Sequence, residues 1–354
     1  MNRSTAKLPR VLVVSTARAT RGGIASVVRA MEQDILWKKF SCRWIETQID
    51  RNVLMKVLYL VRSYLQFLAF LPLYDLVHFH TVPGNSTLNH LPLLYLARIF
   101  GKKTIVHLHI GDQLHGYTNN KAFRTLLSRA DLLITISEMA KKVLKNSYRI
   151  SFPVEVLYNA CPEVKHNIEP ATARTEKSIL VAGIIDRNKA YDIILEAFAR
   201  VAAGFPDWKL VFAGNGAIDD ARRIAGKLGI GHRVDFPGWV SGERKSELFA
   251  HADVYCLASF KEGFPVVVLE AWAWRLPVIC TPAGGLVDVV VDGENALVVE
   301  PGNANQLAAA MAKMMADPAL RLKLADNSHR LVNKRFTMPV IYRRLEKIYL
   351  KLGG

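Results

Sequence analysis

Residues 253–285 read DVYCLASFKEGFPVVVLEAWAWRLPVICTPAGG. Within them an apolar run, DVYCLA (253–258), gives way to a polar turn, a helix-like stretch from Pro265, and a second β-rich run, PVICT (277–281). Two such runs joined by a helix read as a βαβ unit, in which the neighbouring strands lie parallel. Strands of this kind are covered by helices on both faces, which explains why neither run alternates between apolar and polar.

The same rhythm extends in both directions. SILVAG (178–183), KLVFAG (209–214), VDFPGWV (234–240) and ALVVE (296–300) surround the segment. Earlier come VLVVS (11–15), LVHFH (76–80), TIVHLH (104–109), LLITIS (132–137) and VEVLYN (154–159). The expected fold class is α/β, with two facing Rossmann-like doubly wound parallel sheets and a cleft between them. Residues 159–177, NACPEVKHNIEPATARTEK, carry two prolines and no sustained period and read as the linker. The domains are therefore set at 1–165 and 166–337, with helices expected over 302–317 and 338–352 and the 338–354 segment assigned back to the first domain.

A chain of 354 residues with 51% hydrophobic composition has ample material for two cores, which excludes a disordered protein. Its formal charge of +16 is uneven: residues 1–165 hold 23 Lys and Arg against 10 Asp and Glu, leaving the remainder nearly neutral. Such asymmetry marks a face that meets something anionic. The oily stretch 53–80 is broken by Lys56, Arg62 and Asp75; its longest uncharged piece, Ser63–Tyr74, is 12 residues, so no transmembrane helix is expected. The apolar run near the start is four residues, too short for a signal peptide. Cys42, Cys161, Cys256 and Cys280 are too scattered for a metal knuckle and fit a reducing compartment.

Ligands of open parallel sheets sit at the carboxyl ends of the strands. There, Glu262 lies in a loop before a helix and Glu270 lies within it. With Pro265 at the first helical position, the amides of Val266 and Val267 point out of the helix start and suit a diphosphate. Carboxylates accept hydrogen bonds from pairs of hydroxyls, so Glu262 and Glu270 are suited to a sugar and a ribose. Gly22 and Gly23 follow the first strand and allow close approach to the backbone. His78 and His80 share one strand face, as do His107 and His109; no acidic residue recurs at metallohydrolase spacing, and no metal ligand is assigned.

The segment EGFPVVVLEAWAWRLPVICTPAGGLVDVVVDGENALVVEPGN (262–303), with DRNKA and KLVFAGNG before it, resembles the donor-binding half of the retaining glycosyltransferases of family 4, which have the GT-B fold. The resemblance covers residues 178–320 closely, and the first half more loosely through Gly22-Gly23 and HLHIGD. It implies that Glu262 faces the donor sugar, Glu270 holds the ribose, Lys189 pairs with the diphosphate and His109 contacts the sugar. It also places Phe264 and the loops of Gly214, Gly216, Trp239 and Val240 around the nucleotide, with Gly284 and Gly285 beside the diphosphate; Trp239 either stacks a base or fills the surface. The family carries an arginine directly after the strand-ending glycine, where this chain has Ile184; Arg187 lies three residues on.

The implied activity is metal-independent transfer of a hexose from a UDP- or GDP-linked nucleotide-sugar to a glycan acceptor, in surface or exopolysaccharide synthesis, with no cofactor. The basic first half and oily 53–74 segment point to a lipid-linked glycan and an anionic membrane surface, at the cytoplasmic face. A nucleotide-sugar epimerase of the same fold, needing no acceptor, is the alternative. No nucleic acid partner is expected, since no recognised nucleic-acid motif is present.

Overall fold

The computed structural model describes residues 7–20, 22–164 and 176–353, so most of the expected linker, residues 165–175, falls outside them. The chain forms two compact units, one running to Ala160 and taking back the helix Met338–Gly353, the other running from Cys161 to Thr337.

The first unit is built on β1 (Val11–Ser15), β2 (Arg43–Glu46), β3 (Leu76–Thr81), β4 (Lys103–Leu108), β5 (Leu132–Thr135) and β6 (Val154–Val156). All are parallel, in the order β2-β1-β3-β4-β5-β6. Both faces are covered, so every residue of β1, β3 and β5 is buried. The sequence reading missed β2: RWIE is four residues long, charged at both ends and at the sheet edge, where little apolar patterning is demanded.

The second unit contains β7 (Lys177–Ala182), β8 (Trp208–Ala213), β9 (Val234–Asp235), β10 (Val254–Leu257), β11 (Val278–Cys280) and β12 (Leu297–Val298). They are again parallel, in the order β12-β11-β10-β7-β8-β9. Here the expected strand over 234–240 shrinks to two residues, because Pro237 cannot donate to a ladder and Gly238 turns the chain at φ +76°. The helix after β10 spans Val266–Ala273 with Pro265 as its N-cap, so it begins one residue later than expected.

Each sheet has one point where the chain order reverses. In the first unit β1 lies beside β3, so the connections leave in opposite directions; in the second the reversal falls between β7 and β10. A crevice opens at the carboxyl ends of such strand pairs, and it is there that ligands bind in doubly wound folds.

The Val53–Phe70 helix differs from the others. Its buried side chains are Ser63 and Phe67, while Val53, Leu54, Val57, Leu58, Val61, Leu65 and Leu68 are all exposed. With the turn that follows it makes 21 residues, Val53–Leu73, long and apolar enough to cross a membrane. The expectation drawn from a 12-residue uncharged piece is corrected in length only: the exposed Lys56 and Arg62 lie within one continuous helix.

Candidate active site

The reversal between β7 and β10 brings the expected donor residues together. Asp186 follows β7, and its carboxylate accepts the Lys189 amide at 2.9 Å, closing a single 3-10 turn over Arg187–Lys189. That turn is stitched to the loop after β10: Phe260 N–H donates to the Asn188 carbonyl at 2.8 Å, and the Asn188 amide donates to the Lys261 carbonyl at 3.0 Å. The stitching delivers the Lys189 ammonium onto the Glu262 carboxylate, and both side chains are largely shielded.

From the other side, the loop after β11 presses on Glu262. A Cβ on Gly284, which has φ +58°, would stand 2.3 Å from the Glu262 carbonyl oxygen, and Gly285 N–H donates to Gly263 at 2.6 Å. The TPAGG turn therefore sets the backbone position of the first glutamate.

Glu270 sits one turn into the Val266–Ala273 helix, on the face shared with Val266 and Val267, whose amides precede the first intrahelical bonds. Its carboxylate takes the Lys245 ammonium on both oxygens, at 2.6 and 2.7 Å. Lys245 was missed by sequence reasoning, since a lysine in the first turn of Gly242–His251 looks like any solvated helix residue. The second unit thus presents two carboxylates, each neutralised by a lysine, beside a helix start. Such a set can hold hydroxyls through the glutamates and a diphosphate through the cations and amides.

Other expected residues are placed differently. Gly214 and Gly216 are required by the neighbouring chain: a Cβ on Gly214 would lie 1.6 Å from the Gly183 carbonyl oxygen, and one on Gly216 2.3 Å from that of Ile185. Phe264 turns its ring into the core, 5.6 Å from that of Phe336, and its side chain is buried. Trp239 is 44% exposed, at the surface rather than in the core, and Val240 is half-buried. Ile184 is also exposed, while Arg187 places its guanidinium on the Asp192 carboxylate.

Gly22, Gly23 and His109 belong to the first unit. Gly22 caps the Gly23–Gln33 helix, and a Cβ on either glycine would meet nothing within 4 Å, leaving room above the helix start. His109 follows β4, its Nε2 hydrogen-bonded to His80 Nδ1 at 2.9 Å and its ring stacked 4.3 Å from that of His107. Burial lowers its pKa to about 3, so the imidazole is neutral. His78 is hydrogen-bonded through Nδ1 to the Tyr349 hydroxyl at 2.7 Å, and His90 through Nε2 to Thr47 at 2.9 Å; burial likewise lowers both to about 3.

A family model for group 1 glycosyl transferases matches residues 165–331, and one for glycosyltransferase family 4 matches residues 45–162. An exopolysaccharide phosphotransferase of Streptomyces coelicolor is 29% identical over 70% of this chain, which spans only 26% of that relative's length. The N-acetylgalactosamine-N,N'-diacetylbacillosaminyl-diphospho-undecaprenol 4-alpha-N-acetylgalactosaminyltransferase of Campylobacter jejuni is 27% identical over 74% of this chain and 73% of its own. In fold, the chain is similar to the Anabaena protein HepE, crystallised with UDP, at a TM-score of 0.78 and 17% identity over 97% of this chain and 100% of that one. Two Rossmann-like units, and two family models that between them take in both, give one conclusion: the chain belongs to the group 1 glycosyltransferases of family 4, and its fold is GT-B.

Proposed function

We propose that this protein is a retaining glycosyltransferase that moves a hexose from a nucleotide-sugar to a lipid-linked glycan at the cytoplasmic face of a membrane. The observation that carries the reading is the double ion pair at the β7/β10 reversal, Lys189 on Glu262 and Lys245 on Glu270, beside the free amides of Val266 and Val267.

In this reaction the bond from the sugar's anomeric carbon to the diphosphate oxygen breaks, and a bond to an acceptor hydroxyl oxygen forms on the same face. The acceptor proton passes to the departing phosphate. Negative charge grows on that phosphate, and Lys189 with the two helix amides offsets it without a metal ion in the transfer step, by preorganised electrostatics. Glu262 faces the sugar and Glu270 the ribose hydroxyls. That a structurally similar protein was crystallised with UDP makes a uridine nucleotide the first donor to try.

The acceptor side rests on the Val53–Phe70 helix. Seven large apolar side chains form one exposed stripe opposite the buried Ser63 and Phe67, the reverse of a helix that only serves a core. No acidic residue lies between Arg51 and Tyr74, while Arg51, Lys56 and Arg62 do, which suits an anionic bilayer surface. The Campylobacter relative, whose name gives it an undecaprenol-linked acceptor, supports a lipid carrier.

Two measurements test this. Thermal shift with UDP-, GDP- and ADP-sugars should show one donor raising the melting temperature by mass action, and transfer to a lipid-linked oligosaccharide should then give a product with the donor's anomeric configuration. No shift with any donor and no transfer would sink the assignment; interconversion of the donor without acceptor would point to an epimerase. Vesicles containing phosphatidylglycerol should sediment the native chain and release it in high salt, and Leu58→Glu with Leu65→Glu should abolish sedimentation. Self-association in place of vesicle binding would assign the stripe to a second copy instead.

A further inference from the structure

We propose that His78, His80 and His107 form a buried binding site, in the first unit, for a nitrogen-seeking divalent cation of the zinc class. The sheet brings the three rings together. His78 and His80 are two apart on β3 and so point to one face, and His80 is the register partner of His107 on β4. The ring centroids of His78 and His80 are 4.2 Å apart, and those of His80 and His107 are 5.0 Å apart.

Counting nitrogens leads to the ligand. His78, His80 and His107 are at most 3% exposed. His78 uses Nδ1 on Tyr349, and His80 uses Nδ1 on His109. His78 Nε2, His80 Nε2 and both nitrogens of His107 are buried with no hydrogen-bond partner. Buried polar atoms are seldom left so, and four in one cluster ask for an occupant.

The partners already present favour a cation. When a ring's Nδ1–H donates to a neighbouring oxygen or nitrogen, its Nε2 is left as a lone pair aimed away from that neighbour, the arrangement in which metal-bound histidines are held. Tyr349 and His109 stand in that outer position for His78 and His80. One ligand atom from each of the three rings lies within 4.8 Å of the others. Nitrogens about 2.0 Å from a tetrahedral zinc stand roughly 3.3 Å apart, so small ring movements close the site, and three imidazoles leave a fourth position for water. An all-imidazole set selects zinc, copper or nickel over magnesium or calcium.

The cation would join β3 and β4, and through Tyr349 the C-terminal helix. It would also hold the proton of His80 on Nδ1, where it is donated to His109 Nε2. The neutral His109 then carries its own proton on Nδ1.

The test uses the full chain, stripped with chelator and then loaded with Zn²⁺ in two ways, by dialysis and by refolding with the ion present, so that burial cannot prevent entry. Elemental analysis should find about one zinc per chain. His80→Gln and His107→Gln should reduce this to background, with folding checked by circular dichroism. Tyr349→Phe should keep the stoichiometry while weakening affinity about tenfold, as for other outer partners of ligating histidines. No zinc by either route, or equal zinc in both histidine variants, would overturn the proposal and leave the orphan nitrogens to water. Should the histidine variants fail to fold, Co²⁺ in the native chain decides: a tetrahedral visible spectrum supports the site, and an octahedral one rejects it. The readout is metal content and spectrum, so it stands or falls independently of glycosyl transfer.

Discussion

Ile184 is the residue whose side chain the family resemblance does not lead one to expect. It stands exposed just past β7, where the family resemblance leads one to expect an arginine, and the guanidinium of Arg187 is engaged by Asp192. Restoring a cation with Ile184→Arg should tighten binding of the matching nucleoside diphosphate about tenfold, the worth of one modest charge-assisted hydrogen bond. Calorimetric titration measures this, and unchanged or weaker affinity would show that the position no longer faces phosphate. His90 carries a second residue-scale prediction. Burial holds its pKa near 3, below the ordinary 6.5, so between those values the unfolded chain binds a proton that the folded chain refuses. Stability contributed by the neutral ring is therefore present above pH 6.5 and lost as pH falls toward 3. His90→Gln should flatten the pH dependence by up to about 1.4 kcal/mol per pH unit, read from urea unfolding between neutral and mildly acidic pH. Glu262, Glu270 and Lys189 were legible at this scale because they stand in an extended motif. Lys245 was not, because only the packing of its helix near Glu270 distinguishes it from a surface lysine.

At the scale of elements, the glycine turn after β11 is a positioning device. Gly284 adopts a left-handed backbone against the Glu262 carbonyl, so Gly284→Ala must move one loop or the other. The substitution should cost about 1–3 kcal/mol of stability and lower turnover more than it raises the donor KM. Equal activity with the substituted turn would show that Glu262 does not depend on it. The TPAGG sequence announced a tight turn, but only the packed loops show which residue it supports. The lack of a side chain at Gly214 and Gly216 is likewise required by the approach of the β8 loop to the chain after β7. The edge strand β2 was hidden because a short edge element buries too little to impose a pattern, whereas β9 was read too long because Pro237 and Gly238 end it.

At the scale of the whole molecule, the chain returns to its first unit at the end. The helix Met338–Gly353 buries Ile341, Tyr342, Leu345 and Tyr349, the last hydrogen-bonded to His78. Each such side chain stabilises by roughly 1.5–3 kcal/mol, comparable in sum to the stability of a domain. Ending the chain after Thr337 should therefore abolish the calorimetric transition of the first unit and leave that of the second; two intact transitions would mean that the helix is dispensable. The sequence by itself determined the fold class, because parallel strands buried on both faces must be written as apolar runs separated by crossover helices, and it singled out Glu262 and Glu270 as candidates, because they are close together along the chain. Tertiary structure alone decided which lysine meets which glutamate, that three buried histidines from two strands cluster with His109 just beyond them, and that the Val53–Phe70 helix turns its leucines outward. Each of these depends on the register between strands and on which helix face meets the sheet, and neither is encoded by local periodicity.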